Sequence, residues 1–325
     1  MPKRLGVGNY QYESVEPWPK IDIPGIVSDV ATDSQDRVYL PVRTSQRFDD
    51  NAGAIMVFDR DGTHLKTFGQ DKLHTPHGLW ITPEDALYLT DTFDHCVRTY
   101  STSGDPRMVL GVPGEPGPGG CPFNRPTLAF PSPVSDDLFV SDGYRQNRVH
   151  RFSPSGADPS AAGQYSRWKR GWEHTDLEMT ASWGGGDLNY HDDSSWGSTE
   201  NHGTGPGEFL LPHGVVVDRN ERVYVMDRSN GRIQIFDRDG VYLAEWATPS
   251  PNQGFIDDND VMHVPGSGGI HLLGLNGEQI GRWGEKGSEP WQFRGGPHGL
   301  WIDSHSDIYV AQVSADNAIN KFARV

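Results

Sequence analysis

Three histidines sit in the same short motif: Pro76-His77-Gly78, Pro212-His213-Gly214 and Pro297-His298-Gly299. Neutral imidazole is a common transition-metal ligand, and three of them leave one position of a tetrahedral ion open for a substrate or water. No carboxylate shares the motif, which argues against calcium or magnesium at this set. The histidines are far apart in the chain. They can act together only if a repeated fold carries one register position back to the same place each time.

The sequence around them supplies such a repeat. Residues 76–81 and 86–91, 125–130 and 137–142, 212–217 and 222–227, and 297–302 and 307–310 nearly superimpose. Each pair of short β-branched or aromatic runs leads to a third, as in residues 230–236. A turn such as Asp237-Arg238-Asp239-Gly240 then leads to a fourth, residues 242–246. Short strands separated by Asp-Gly and Asn-Gly turns, four to a unit, predict propeller blades. Residues 27–58 and 254–275 are two degenerate units, which brings the total to six. The expected fold is all-β: a six-bladed β-propeller of four antiparallel strands per blade, one domain over residues 1–325. The Gly-apolar-Asp, Tyr-Val-Asp and Asn-Arg-Ile pattern resembles NHL repeats.

Numbered in chain order, blades two, four and six carry the histidines. The corresponding positions in blades one, three and five are Ser28 or Asp29, Thr127, and Asn252 or Gln253. Alternate blades of a six-fold ring are related by about 120°. His77, His213 and His298 are therefore expected to converge on one ion, zinc by default or another divalent transition metal. A Pro-His-Gly turn spread by duplication alone would put histidine in every blade. His74, His95, His263, His271 and His305 show no such spacing and are expected on the surface or in turns.

Tyr144 follows the second strand of blade three, Arg228 that of blade four and Arg43 that of blade one. A tyrosine beside a cation titrates below its usual pKa of about 10 and can serve as a base. Arginines there can hold a substrate carboxylate. Spacing alone equally allows Tyr144 to pack and the arginines to bridge carboxylates.

The chain has 325 residues with 39 Gly and 24 Pro, a composition for many turns rather than helices. A net charge of −16 disfavours nucleic-acid backbones as partners. Cys96 and Cys121 are too few for a disulfide framework and are expected as free thiols. No apolar run approaches the roughly 18 residues of a membrane span, and none follows Lys3 and Arg4 as in a signal peptide. The expectation is a cytoplasmic protein acting on a small molecule, with no membrane or nucleic-acid partner; composition leaves the oligomeric state open. One segment, about 157–204, breaks the rhythm. It carries Trp168, Trp172, Trp183 and Trp196 with His174, His191 and His202, and reads as a lid or contact insertion.

Several stretches are more specific than a generic repeat. They are Phe123-Asn124-Arg125-Pro126-Thr127, Val140-Ser141-Asp142-Gly143-Tyr144, Gly205-Pro206-Gly207-Glu208-Phe209 with Leu211-Pro212-His213, and Asp227-Arg228-Ser229-Asn230-Gly231-Arg232-Ile233-Gln234. These resemble the lyase domain of peptidylglycine α-amidating enzymes, and bacterial lyase-like homologues more closely still. The resemblance implies a six-bladed propeller with zinc on His77, His213 and His298, Tyr144 as base, and Arg43 and Arg228 binding substrate. The implied reaction cleaves an N-acyl-α-hydroxyglycine to an amide and glyoxylate. Departures from the family pattern are Gly299 for the aspartate of a structural calcium site, which puts calcium in doubt, Gly296 for a methionine, Leu128 for an aspartate, and Arg145 for a cysteine. Together they suggest a related reaction on a different substrate, aromatic or small. A zinc-dependent hydrolase or hydratase is the alternative enzyme, and a non-enzymatic NHL binding scaffold the alternative outside catalysis.

Overall fold

The computed structural model describes residues 3–43, 53–117, 123–154, 177–185, 202–313 and 318–325. It is all-β, a six-bladed β-propeller built on four antiparallel strands per blade, with a fifth strand at the edge of blade six, and the described residues contain no α-helix. The chain falls into two compact units, Met1–Leu79 with Pro251–Val325, and Trp80–Ser250.

In the first unit, blade one holds Val38–Arg43, Gly53–Phe58 and His64–Leu73 behind a first strand broken into Ile26–Val27 and Ala31–Thr32. Blade five is Phe255–Ile256, Val261–Gly266, Gly269–Gly274 and Gln279–Trp283. Blade six takes Gly296–Ile302, Ile308–Val313 and Ile319–Arg324 from the end of the chain and its outer strands, Tyr10–Val15 and Arg4–Val7, from the beginning. Tyr12, Leu272, Trp283, Phe293, Leu300, Val310 and Phe322 pack into one core between these last two blades.

The second unit holds blade three, Leu128–Pro131, Leu138–Asp142, Arg148–Pro154 and Leu177–Gly184, and blade four, Pro212–Val217, Val223–Asp227, Arg232–Phe236 and Tyr242–Ala247. Blade two runs from Pro76–Ile81 through Ala86–Asp91 and Cys96–Ser101 to Pro106–Leu110. Its core joins Tyr88 and Val97 to Phe123, Leu138, Val140 and Phe152 of blade three.

One device recurs at the turn after the first strand. Asp33, Asp218 and Asp303 each accept two backbone N–H groups of the turn and the hydroxyl of the next strand's tyrosine: Tyr39 at 2.9 Å, Tyr224 at 3.0 Å and Tyr309 at 3.2 Å. A buried carboxylate fed by several donors is stable as the anion and locks turn to strand. In blade five, His263 replaces the tyrosine and its Nε2 lies 3.1 Å from Asp257.

This corrects an expectation. His263 and His271 lie buried within strands, not on the surface or in turns, while His95 stands in a turn as expected but is buried there. His263 takes a tyrosine's structural place, His271 Nε2 binds the Ser267 carbonyl at 2.9 Å, and His95 Nδ1 accepts the Arg125 N–H at 3.2 Å. Within the segment 157–204, Leu177–Gly184 is the outer strand of blade three. Trp168, Trp172, Trp196, His174 and His191 lie outside the described residues, as does Cys121, so the lid reading rests on sequence alone. Cys96 is a buried free thiol whose pKa burial pushes well up.

Candidate metal centre

His77 and His213 are the second residues of their inner strands and His298 is the third of its own. In blades four and six the ladder skips it: Pro212 pairs with Asp227 and Gly214 with Met226, while Pro297 pairs with Gln312 and Gly299 with Ala311. Such a bulge sets two residues against one and turns a side chain off the sheet face. His213 and His298 are those residues.

His77 and His298 stack edge to face in the first unit, with ring centroids 4.9 Å apart and planes at 80°. His298 Nδ1 lies 2.7 Å from the carbonyl oxygen of Ser28. A carbonyl only accepts, so Nδ1 carries the proton and Nε2 keeps its lone pair, the tautomer a metal ligand requires. In the second unit the Tyr144 hydroxyl lies 3.0 Å from His213 Nε2, the rings at 89°.

All three histidines are buried. Three buried histidines can form a metal site here, and the all-imidazole donor set fits a transition metal rather than calcium.

The loop after Asp142 brings Tyr144 to His213. Asp142 Oδ2 accepts the Asn124 N–H at 2.9 Å and Gln146 Nε2 at 2.8 Å. Asn147 Oδ1 accepts the Leu211 N–H at 2.8 Å, two residues before His213. Gly143 lies so close that a Cβ there would sit 2.0 Å from the Pro212 oxygen. The glycine permits the approach that puts the tyrosine on the histidine.

Arg43 ends the second strand of blade one, buried and in register with Ile26. Arg228 opens a short 3-10 turn after the second strand of blade four, and its N–H donates to the Leu211 oxygen at 3.2 Å. Both stand at the strand ends where the sequence places them.

Asp29 is a further residue of interest, seen in the sequence only as one of two candidates for its register position. Its buried carboxylate accepts the N–H of Leu79 at 2.8 Å, of Val30 at 2.8 Å and Nε2 of Gln253 at 3.2 Å. Burial pushes its pKa up to about 8, against those donors. Gln253 in turn accepts the Leu300 N–H at 2.6 Å. Leu79 and Leu300 each lie two residues beyond a motif histidine, so one carboxylate and one amide tie both strands. A Cβ on Gly299 would meet Asp29 Oδ1 at 2.1 Å. Glycine follows His298 because Asp29 occupies the space.

The family model of the NHL repeat matches residues 209–236, most of blade four. NHL repeat-containing protein 3 of Mus musculus is 31% identical over 242 residues, which is 70% of this chain and 58% of that protein. Peptidyl-alpha-hydroxyglycine alpha-amidating lyase 1 of Drosophila melanogaster is 26% identical over 260 residues, 77% of this chain and 40% of that protein. The chain thus spans little more than half of the first and less than half of the second. Among solved structures, a gluconolactonase of Xanthomonas campestris superposes with a TM-score of 0.61 at 11% identity, covering 99% of this chain and 94% of that one, a likeness of fold alone. The chain is thus a six-bladed propeller with an NHL repeat in blade four, whose homologues include NHL repeat-containing protein 3 and the peptidyl-alpha-hydroxyglycine alpha-amidating lyase.

Proposed function

We propose that His77, His213 and His298 hold one divalent transition metal, with zinc the first candidate, and that the protein is a lyase cleaving a carbinolamide-type C–N bond in a small molecule. The observation that supports the reading is the Tyr144 hydroxyl 3.0 Å from His213 Nε2, a phenol in contact with one of the three candidate ligands.

When bound, the metal supplies Lewis acidity toward a substrate hydroxyl. Tyr144 takes the proton from that hydroxyl oxygen. As the C–O double bond forms, the C–N bond breaks and its electron pair goes to nitrogen. Tyr144 returns the proton to that nitrogen, giving a primary amide and an aldehyde, and no water is consumed. Arg43 and Arg228 hold the substrate carboxylate.

The runner-up, a hydrolase or hydratase, needs the same residues but adds water across a bond. N-benzoyl-α-hydroxyglycine distinguishes the two. The lyase releases benzamide and glyoxylate in equal amounts, and the benzamide carries no ¹⁸O when the reaction runs in labelled water. Absence of turnover with the metal-loaded protein on this and related α-hydroxy amides contradicts the lyase reading.

A further inference from the structure

The same contact is made three times by residues outside the histidine motif. Thr127 and Asn252 precede the first strands of blades three and five, and Ser28 holds the equivalent place in the break of blade one's first strand. Each donates its backbone N–H to its own second strand: to Pro41 at 3.1 Å, Ser141 at 2.8 Å and Pro265 at 2.9 Å. Each also turns a side-chain donor onto the next blade. Ser28 Oγ lies 2.9 Å from the Pro76 oxygen, Thr127 Oγ1 3.1 Å from the Pro212 oxygen, and Asn252 Nδ2 2.7 Å from the Pro297 oxygen. All three acceptors are carbonyls of the proline immediately before a motif histidine. Ser28, Thr127 and Asn252 are themselves buried.

A peptide group is planar, so fixing the proline oxygen fixes the plane that contains the histidine nitrogen and Cα. That plane sets the direction in which the imidazole leaves the backbone. At His213 and His298 the strand ladder skips the histidine, so ladder hydrogen bonds do not set it. The side-chain donor from the preceding blade is a contact that holds the peptide plane there, beside the contacts made to the imidazoles themselves.

We propose that Ser28, Thr127 and Asn252 are positioning residues that aim the three histidines at a common ion. The proposal rests on the metal reading above and extends it to residues that touch neither metal nor substrate. It accounts for the residue types: each is a small polar side chain with a donor proton, at the position where the alternate blades carry histidine. A hydroxyl has one proton, and Thr127 Oγ1 reaches two carbonyls, that of Pro212 at 3.1 Å and that of Ser141 on its own blade at 2.9 Å, with the Ser141 hydroxyl 2.7 Å away.

The test is zinc affinity by competition with a chromophoric chelator, together with the visible spectrum of the cobalt-substituted protein, for Thr127→Val, Thr127→Ser and Ser28→Ala. Removing a group that orients a metal ligand typically costs about 10–100-fold in affinity. Thr127→Val and Ser28→Ala are expected to lose that much and to shift the cobalt bands, while Thr127→Ser restores both. A purely structural role lowers the melting temperature of the metal-free protein without changing the spectrum. Wild-type affinity and spectrum in Thr127→Val or, should that variant not fold, in Ser28→Ala overturn this proposal and leave the metal reading standing. A wild-type protein that binds no metal overturns both.

Discussion

At the scale of single residues, the account turns on two close approaches that only glycine allows. Gly143 lets the Tyr144 loop press against Pro212, and Gly299 leaves room for Asp29. Gly143→Ala forces a Cβ to within 2.0 Å of a carbonyl oxygen, so the loop must retreat from His213. The expected result is a loss of turnover far larger than the loss of stability, about 1–3 kcal/mol for overpacking, read by comparing kcat/KM with chemical denaturation. Tyr144→Phe removes the proton carrier but no ligand. It should keep zinc at wild-type stoichiometry and lower kcat by about 10²–10⁴-fold; unchanged kcat in that variant removes Tyr144 from the chemistry. The three histidines were legible in the sequence because one motif recurs at one register. Asp29 and Gln253 were legible only as alternatives, because choosing between Ser28 and Asp29, or Asn252 and Gln253, requires knowing which backbone leaves the ladder. Gly143 and Asn147 gave no signal, since a close approach between segments 69 residues apart (Gly143 to Pro212) has no local signature.

At the scale of the element, each blade is a unit tied by its turn. The Asp218 knot joins Asn220, Arg222 and Tyr224, and its carboxylate is almost wholly buried. Asp218→Ala leaves those donors unanswered and is expected to cost about 3–5 kcal/mol, measured by denaturant unfolding. Blade five carries the element-scale response to pH. Burial lowers the pKa of His271 below its ordinary value of 6.5, and its Nε2 donates to the Ser267 carbonyl. A base whose pKa is lower in the fold than in the unfolded chain gives up a proton on folding. Its contribution is therefore full above pH 6.5 and lost as pH falls below it. His271→Gln keeps a donor without the titration, so its stability should fall less than that of the wild type from pH 6.5 to pH 5; parallel curves contradict this. The repeat made most strands readable because periodic Asp-Gly turns and alternating apolar residues mark each one. Leu177–Gly184 escaped because the sequence on either side of it carries none of the repeat's landmarks. The strands Arg4–Val7 and Tyr10–Val15 escaped because they carry none of the repeat's landmarks and complete a blade begun almost 300 residues later.

At the scale of the whole molecule, the beginning and end of the chain share one blade. Tyr12 pairs with Arg324 and is 1% exposed within the core it shares with Trp283 and Phe322. Tyr12→Ala should cost about 3–5 kcal/mol, as for other large aromatic truncations, although the residue is more than 300 positions from its partner strand. A metal that binds only the folded chain adds a second global term. Stripping it with a chelator should lower the melting temperature, and returning zinc should restore it. The most direct test of the central claim is metal content by elemental analysis, on protein purified without a histidine tag and beside its His213→Ala variant. The account predicts about one zinc, or one other transition metal, per chain in the wild type and none in the variant. A wild-type protein carrying no stoichiometric metal after purification in non-chelating buffer with zinc supplied contradicts it, and leaves Pro-His-Gly as a way of opening a strand.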